Sequence, residues 1–101
     1  MDKIELINRI TFVRERAKLS ARGLSHSCGK TNSYIAIMEQ TKSYAPSFES
    51  LCEIIDACNT TFEEFFYHDI NEYKTDKEII EILQTATLER KAAALSVLRL
   101  K

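Results

Sequence analysis

Apolar residues recur at helical spacing along most of the chain, beginning close to the N-terminus. Asp2 and Glu5 form a D-x-x-E signal of the kind that starts a helix. The apolar positions that follow at intervals of three or four residues are Leu6, Ile10, Val13 and Ala17. This pattern predicts a first helix that runs through Lys18 and buries one face.

A second and a third helix are predicted on either side of a short turn. Ser20 is a good N-cap for a helix that ends near Ser27, although the glycine at position 23 weakens it. Gly29 can adopt a positive φ in the turn, and Thr31 can cap the next helix. We therefore predict a third helix from Asn32 to about Gln40.

A polar, loop-like segment from Thr41 to Pro46 separates the third helix from a fourth. Ser47 is the expected cap of this fourth helix. The residues predicted to form its inner face are Phe48, Leu51, Ile54, Ile55 and Cys58. Asn59 can end the helix in the left-handed conformation.

Thr61 and Glu64 form a capping box that predicts a short fifth helix from Phe62 to about His68. We expect Phe62, Phe65 and Phe66 to fill the core rather than to form a surface on which bases stack. From Lys74 onward the apolar periodicity resumes, pauses between Thr85 and Thr87, and continues. It predicts one or two appended helices, whose apolar residues include Ile79, Ile82, Leu83, Leu88, Leu95 and Leu98.

The composition supports one small all-α domain with an appended element. The 101 residues are 45% hydrophobic and include only two glycines and one proline, too few for strands joined by tight turns. No signal peptide or membrane-spanning run is present, so we expect a cytoplasmic protein. Three cysteines cannot all pair within one chain, and with His26 and His68 they form no paired ligand set. We therefore expect reduced thiols, no metal and no cofactor.

The net charge of −1 conceals an asymmetry along the chain. Residues 1–46 hold eight basic and four acidic residues, a net charge of +4, whereas the remainder holds six basic and eleven acidic residues, a net charge of −5. The basic half could face phosphate groups. A solvated surface with an accidental bias is the alternative.

The third helix is predicted to bury one face and expose the other. The residues that can point inward together are Leu24, Cys28, Ile35 and Met38, and those left outside are Asn32, Ser33, Ala36, Ile37 and Gln40. Asn32, near the helix start, suits a bidentate hydrogen bond to adenine, and Ile37 suits contact with a thymine methyl group. A solvated asparagine, and an isoleucine packed under a neighbouring loop, are the alternatives.

The joint register of these residues resembles the lambda-repressor-like, Cro-type helix-turn-helix family over residues 4–67. The residues that carry the resemblance are Leu19, Ser20, Leu24, Gly29, Thr31, Tyr34, Ile35, Met38, Glu39, Pro46, Ser47, Phe48, Leu51, Ile54, Phe62, Phe65 and Phe66. The resemblance implies a five-helix DNA-binding domain with the third helix as recognition helix, in a regulator of transcription that acts as a dimer. We place this domain at residues 1–71, and a C-terminal helical extension that serves as a possible dimerisation element at residues 72–101.

The resemblance also implies roles for individual residues. The positions that match base-reading places are Asn32, Ser33 and Ile37, with Ala36 beside them, and those that match phosphate contacts are Ser20, Gln40 and Lys42. Lys30 is assigned to a phosphate contact because of its charge. Arg14 and Glu39 match an ion pair that joins the first helix to the third. The chain departs from the family pattern at Ala21, Gly23, Lys30 and Thr41, where the family typically has glutamine, glutamate, an apolar residue and glycine.

Two functions compete at this point. The first is a sequence-specific regulator, most simply a repressor, that binds double-stranded DNA as a homodimer joined through residues 75–101. The second is a protein-interaction module, such as an antitoxin-like adaptor, with a degenerate helix-turn-helix. We expect no enzyme, since no nucleophile with a matching base occurs. A tail folded back as extra core is the alternative to dimerisation, and the sequence identifies no small-molecule effector.

Overall fold

Helices supply the regular structure of residues 1–100, the part of the chain that this computed structural model describes. They are α1 (Lys3–Arg16), α2 (Ala21–Ser27), α3 (Tyr34–Thr41), α4 (Phe48–Ala57), α5 (Phe62–Phe65), α6 (Tyr73–Thr85) and α7 (Leu88–Leu98). No strand occurs among these residues, which confirms the all-α class. The count exceeds the five helices of the predicted domain because the appended segment forms two separate helices.

The chain divides into two compact units, and the division lies after Phe66, five residues before the predicted boundary. The N-terminal unit, Met1–Phe66, contains α1 to α5. The C-terminal unit begins at Tyr67 and contains α6 and α7. Within residues 1–100, no helix is both long enough and apolar enough to cross a membrane.

Four of the predicted helix starts in the N-terminal unit are correct, because each is fixed by a local hydrogen bond. The capping side chains accept from a backbone N–H three residues ahead: Asp2 from Glu5, Ser20 from Gly23, Ser47 from Ser50 and Thr61 from Glu64. These bonds satisfy donors that the first turn of a helix otherwise leaves unpaired. Asn59, as predicted, takes a left-handed conformation, with a φ of 55°, just beyond α4.

The prediction for α3 was wrong at both ends. The helix begins at Tyr34 rather than Asn32, and its N-cap, Ser33, makes no side-chain capping bond. Thr31 contributes only its carbonyl oxygen, which accepts from Tyr34 N at 3.1 Å. At the other end Thr41 is helical rather than part of the loop, and Lys42 takes the left-handed conformation, with a φ of 48°, in which a glycine often ends a helix.

The core of the N-terminal unit lies where α1, α2, α3, α4 and α5 bury their apolar side chains. The fully buried ones are Ile7, Ile10, Val13, Leu24, Ile35, Met38, Ile54 and Phe65. The predicted inward set of α2 and α3, including Cys28, is confirmed. The face of α1 differs, since Ile7 rather than Leu6 is buried, and the helix ends at Arg16 rather than Lys18.

Three of the predicted core phenylalanines are exposed instead. Phe48, Phe62 and Phe66 are 72%, 38% and 45% exposed, and of the predicted aromatic cluster only Phe65 is buried. For Phe62 and Phe66 the reason is that α5 is a single turn that ends at Phe65, well short of His68, so it points one ring alone inward. The exposed rings pack on one another, with centroids 5.7 Å apart for Phe48 and Phe62 and 6.0 Å apart for Phe62 and Phe66.

The C-terminal unit leaves most of its apolar side chains in solvent. Tyr73 is the one buried residue of α6, and α7 has none among its described residues. Thr87 caps α7 by accepting from Arg90 N at 3.2 Å. A groove of about 420 Å³ runs between the two helices and is lined by Ile80, Leu83, Gln84, Lys91, Ala94, Leu95 and Leu98.

We expect Phe65→Ala to lower the free energy of unfolding by about 3–5 kcal/mol, because removal of a fully buried ring leaves a cavity. Phe48→Ala makes the same chemical change at an exposed ring and should cost about 1 kcal/mol or less. Urea denaturation followed by circular dichroism measures both. Equal losses would contradict the assignment of Phe65 to the core.

Candidate nucleic-acid interface

A buried serine joins α2 to the beginning of α3. Ser25 is fully buried in α2, where its hydroxyl donates to the Ala21 carbonyl oxygen at 2.8 Å and accepts from Ile35 N at 3.0 Å. Gly29 adopts a φ of 66° in the turn between the helices, a conformation that favours glycine. The turn and the shared hydrogen bond together fix the angle at which α3 leaves α2.

An ion pair joins α1 to the other end of α3. Arg14 donates to both carboxylate oxygens of Glu39, from Nε at 2.8 Å and from Nη2 at 2.9 Å, and its Nη1 donates to the Leu19 carbonyl oxygen at 2.8 Å. Both side chains are only 15% exposed. The hydrogen bond with Glu39 raises the pKa of Arg14, against the opposing effect of burial. Arg14 is therefore held inside the fold as a structural cation.

The predicted base-reading residues lie on the outward side of α3 or just before it. Asn32 and Ser33 are exposed in the turn that leads into the helix, and Ser33 is its N-cap. Within the helix, Ala36 is half-buried and Ile37 is 45% exposed. Gln40, one turn further along the same face, is exposed as well.

The start of α3 has few free N–H groups with which to bind a phosphate. The N–H of Tyr34 already donates to the Thr31 carbonyl oxygen, and the N–H of Ile35 donates to Ser25 Oγ. Two of the first donors are therefore occupied inside the fold. Side chains must supply most of the contacts that an anion could make at this end.

The residues assigned to phosphate contacts surround α3. Ser20 is exposed, and its oxygen is engaged as the cap of α2, so its hydroxyl hydrogen remains to donate. Lys30 is exposed in the turn before α3, and Lys42 is half-buried at the left-handed position that ends the helix. Gln40 lies on the last turn of the exposed face of α3.

Three residues of this region were missed by the sequence prediction. The sequence contained a signal for Ser25, since a polar residue beside Leu24 on the inward side of a helix needs buried partners. It contained no signal for Tyr34 and Tyr44, because their contact depends on the path of the loop. Tyr44 Oη donates to the Tyr34 carbonyl oxygen at 3.0 Å, and Lys30 Nζ lies 5.6 Å from the centroid of the Tyr34 ring.

The charges of this region favour an anionic partner. Between Ser20 and Pro46 the only acidic residue is Glu39, and Arg14 neutralises it. Within residues 1–100, the basic residues of the same segment, Arg22, Lys30 and Lys42, form no ion pair with an acid. Comparisons with protein-family models, curated proteins and solved structures give no match for this chain.

The described residues include one group that could hold a metal ion, in the C-terminal unit. The ligand atoms of His68, Glu72 and Asp76 lie within 4.8 Å of one another. His68 and Glu72 are exposed, and exposed clusters with acidic groups are common in proteins that bind no ion there. Burial raises the pKa of Cys28, and it raises the pKa of Cys58 to about 11. Both thiols are therefore protonated at neutral pH, which makes them poor nucleophiles and poor metal ligands.

We expect Ser25→Ala to lower the free energy of unfolding by about 1–3 kcal/mol, since it leaves the Ile35 N–H buried without a partner. Ser27→Ala, at an exposed position on the same helix, should change it by less than about 0.5 kcal/mol. Thermal and urea unfolding measure the difference. Matching stabilities for the two variants would show that Ser25 does not hold α3.

Proposed function

We propose that the chain is a sequence-specific DNA-binding regulator of transcription with a lambda-repressor-like helix-turn-helix in α2 and α3. One observation carries the proposal: α3 presents an exposed face that is free of unpaired acid and is flanked by lysines at both ends. A helix of this diameter fits the major groove of B-DNA, which is about 12 Å wide. Repression by occupying an operator is the simplest form of such regulation.

The exposed face of α3 supplies the side chains that read bases. Asn32 stands at the leading end of the helix, where an amide can bond to N6 and N7 of adenine. Ile37 lies one helical turn beyond Ser33 and presents an apolar surface that suits a thymine methyl group. Ser33 and Ala36 are small, so they allow the backbone of α3 to approach the base edges closely.

The phosphate contacts are assigned to Ser20, Lys30, Gln40 and Lys42. Lys30 precedes α3 and Lys42 follows it, so the two cations can engage the backbone on both sides of the groove. Residues 1–46 carry a net charge of +4, whereas residues 47–66 hold five acidic residues and no basic one. This polarity favours approach of DNA through the side that carries α1, α2 and α3.

We expect Asn32→Ala to weaken binding to the preferred DNA site by about 1–3 kcal/mol and to relax the preference at one base pair. The site is first selected by the protein from randomised duplexes, and fluorescence anisotropy at fixed salt then measures both affinities. Asn71→Ala, at an exposed asparagine of the C-terminal unit, is the control. Equal affinities for Asn32→Ala and the parent would remove Asn32 from the reading face.

Dimerisation through the C-terminal unit is the second part of the proposal. A single recognition helix reads few base pairs, and two of them spaced about 34–36 Å apart read adjacent major grooves. The two helices α6 and α7 bury only Tyr73, and they leave Ile79, Ile80, Ile82, Leu88, Leu95, Val97 and Leu98 exposed. Pairing of two copies through this surface removes it from water.

We expect the double substitution Ile82→Ser with Leu98→Ser to shift the chain from dimer to monomer, because it removes two exposed apolar side chains from the interface. Ile37→Ser removes an exposed apolar side chain from α3 and should leave the dimer intact. Sedimentation equilibrium at several concentrations gives the mass of each. A parent chain that is monomeric at tens of micromolar would contradict the proposal.

A protein-interaction module remains the competing function, and the exposed rings of Phe48, Phe62 and Phe66 are the observation that favours it. Such a module needs no selectivity among DNA sequences. Selection from randomised duplexes separates the two functions, because a module of this kind enriches no common sequence, whereas a regulator enriches one.

A further inference from the structure

Two tyrosines from different segments contact each other beside α3. Tyr34 is the first residue of the helix, and Tyr44 lies in the segment that follows it. Their ring centroids are 6.1 Å apart, and Tyr44 Oη donates to the Tyr34 carbonyl oxygen at 3.0 Å. Burial raises the pKa of Tyr44, so its hydroxyl remains a donor at neutral pH.

The segment that carries Tyr44 is itself attached to the helices around it. Lys3 Nζ, at the start of α1, donates to the Ser43 carbonyl oxygen at 3.2 Å. The hydroxyl oxygens of Thr41 and Ser43 lie 2.9 Å apart and share a hydrogen bond. Tyr44 therefore reaches Tyr34 from a backbone that is already held at two places.

Lys30 lies close to the ring of Tyr34. Its Nζ is 5.6 Å from the centroid of the Tyr34 ring, within the range of a cation–π contact. Lys30 is exposed, and a free lysine side chain samples many rotamers that it must give up when it binds a phosphate. A side chain restricted before binding loses less entropy on binding.

We propose that Tyr44 is a positioning residue for DNA binding: its hydroxyl holds the backbone of Tyr34, and the Tyr34 ring holds the Lys30 ammonium where it meets a phosphate. The inference rests on the proposed function and extends it to two residues with no contact role in that proposal. The loop after α3 and the turn before it then act as one unit, so that the positions of Lys30 and Lys42 are fixed relative to each other. Loss of the Tyr44 hydroxyl loosens Lys30 without removing any charge.

A double-mutant cycle tests this link, with Tyr44→Phe, Lys30→Ala and the combined variant in the full chain. Each binds the duplex selected by the parent, and the affinity is measured over a series of salt concentrations. We expect Tyr44→Phe alone to weaken binding about 3- to 10-fold. Its salt slope should fall toward that of Lys30→Ala, which is lower than the parent's by about 0.9. In the Lys30→Ala background, Tyr44→Phe should have no further effect.

Tyr67→Phe removes a hydroxyl donor from the C-terminal unit, where Tyr67 bonds to Asp76, and serves as the matched control. In the free protein, nuclear magnetic resonance should show the Cε protons of Lys30 shifted upfield by the Tyr34 ring, and Tyr44→Phe should reduce that shift. Additive effects in the cycle, or an unchanged Lys30 shift, overturn the inference while DNA binding stands. A parent chain that selects no duplex overturns the proposed function together with it.

Discussion

The fixed orientation of α3 is the constraint on which the N-terminal unit depends. A helix of eight residues is not stable alone in water. This helix must pack one face against the core and leave the other face exposed to solvent. Ile35 and Met38 bury the inner face, Ser25 holds the start of the helix from α2, and Arg14 holds Glu39 near its end from α1. Since these groups all lie away from the exposed face, that face can vary in sequence without loss of the fold.

Local chemistry explains which parts of this fold the sequence predicted. The caps at Ser20 and Ser47 bond to an N–H three residues ahead, so the nearby sequence determines them. The start of α3 was predicted wrongly because Thr31 is a residue type that commonly caps helices, and the sequence nearby favoured it. In the structure the backbone N–H of Ile35 donates instead to the hydroxyl of Ser25, ten residues earlier. A tertiary contact decided that boundary, and no local pattern records it.

The candidate interface was predictable for a different reason. Helical spacing separates the inward from the outward residues of α3, so the exposed positions follow once the helix is recognised. Spacing does not show which outward face a neighbouring element covers, and this is why Phe62 and Phe66 were assigned to the core. The Arg14–Glu39 contact spans 25 residues and came from the family resemblance, whereas the contact between Tyr34 and Tyr44 depends on the path of a loop that no periodicity describes.

An overall charge of −1 is compatible with DNA binding because the range of electrostatic attraction is short. At an ionic strength of 0.1 M the Debye length is about 10 Å, so a phosphate responds mainly to charges near its own contact. The buried carboxylate of Glu64 accepts hydrogen bonds from Arg16 Nη1 at 3.2 Å and from Thr60 Oγ1 at 2.8 Å, so it is neutralised within the fold. Glu63 is exposed on α5, outside the α2–α3 segment. Exposed acids also lie on α4. Under the proposed function the exposed acids of α4 and α5 would repel DNA from those helices and so favour the orientation in which α3 meets the groove.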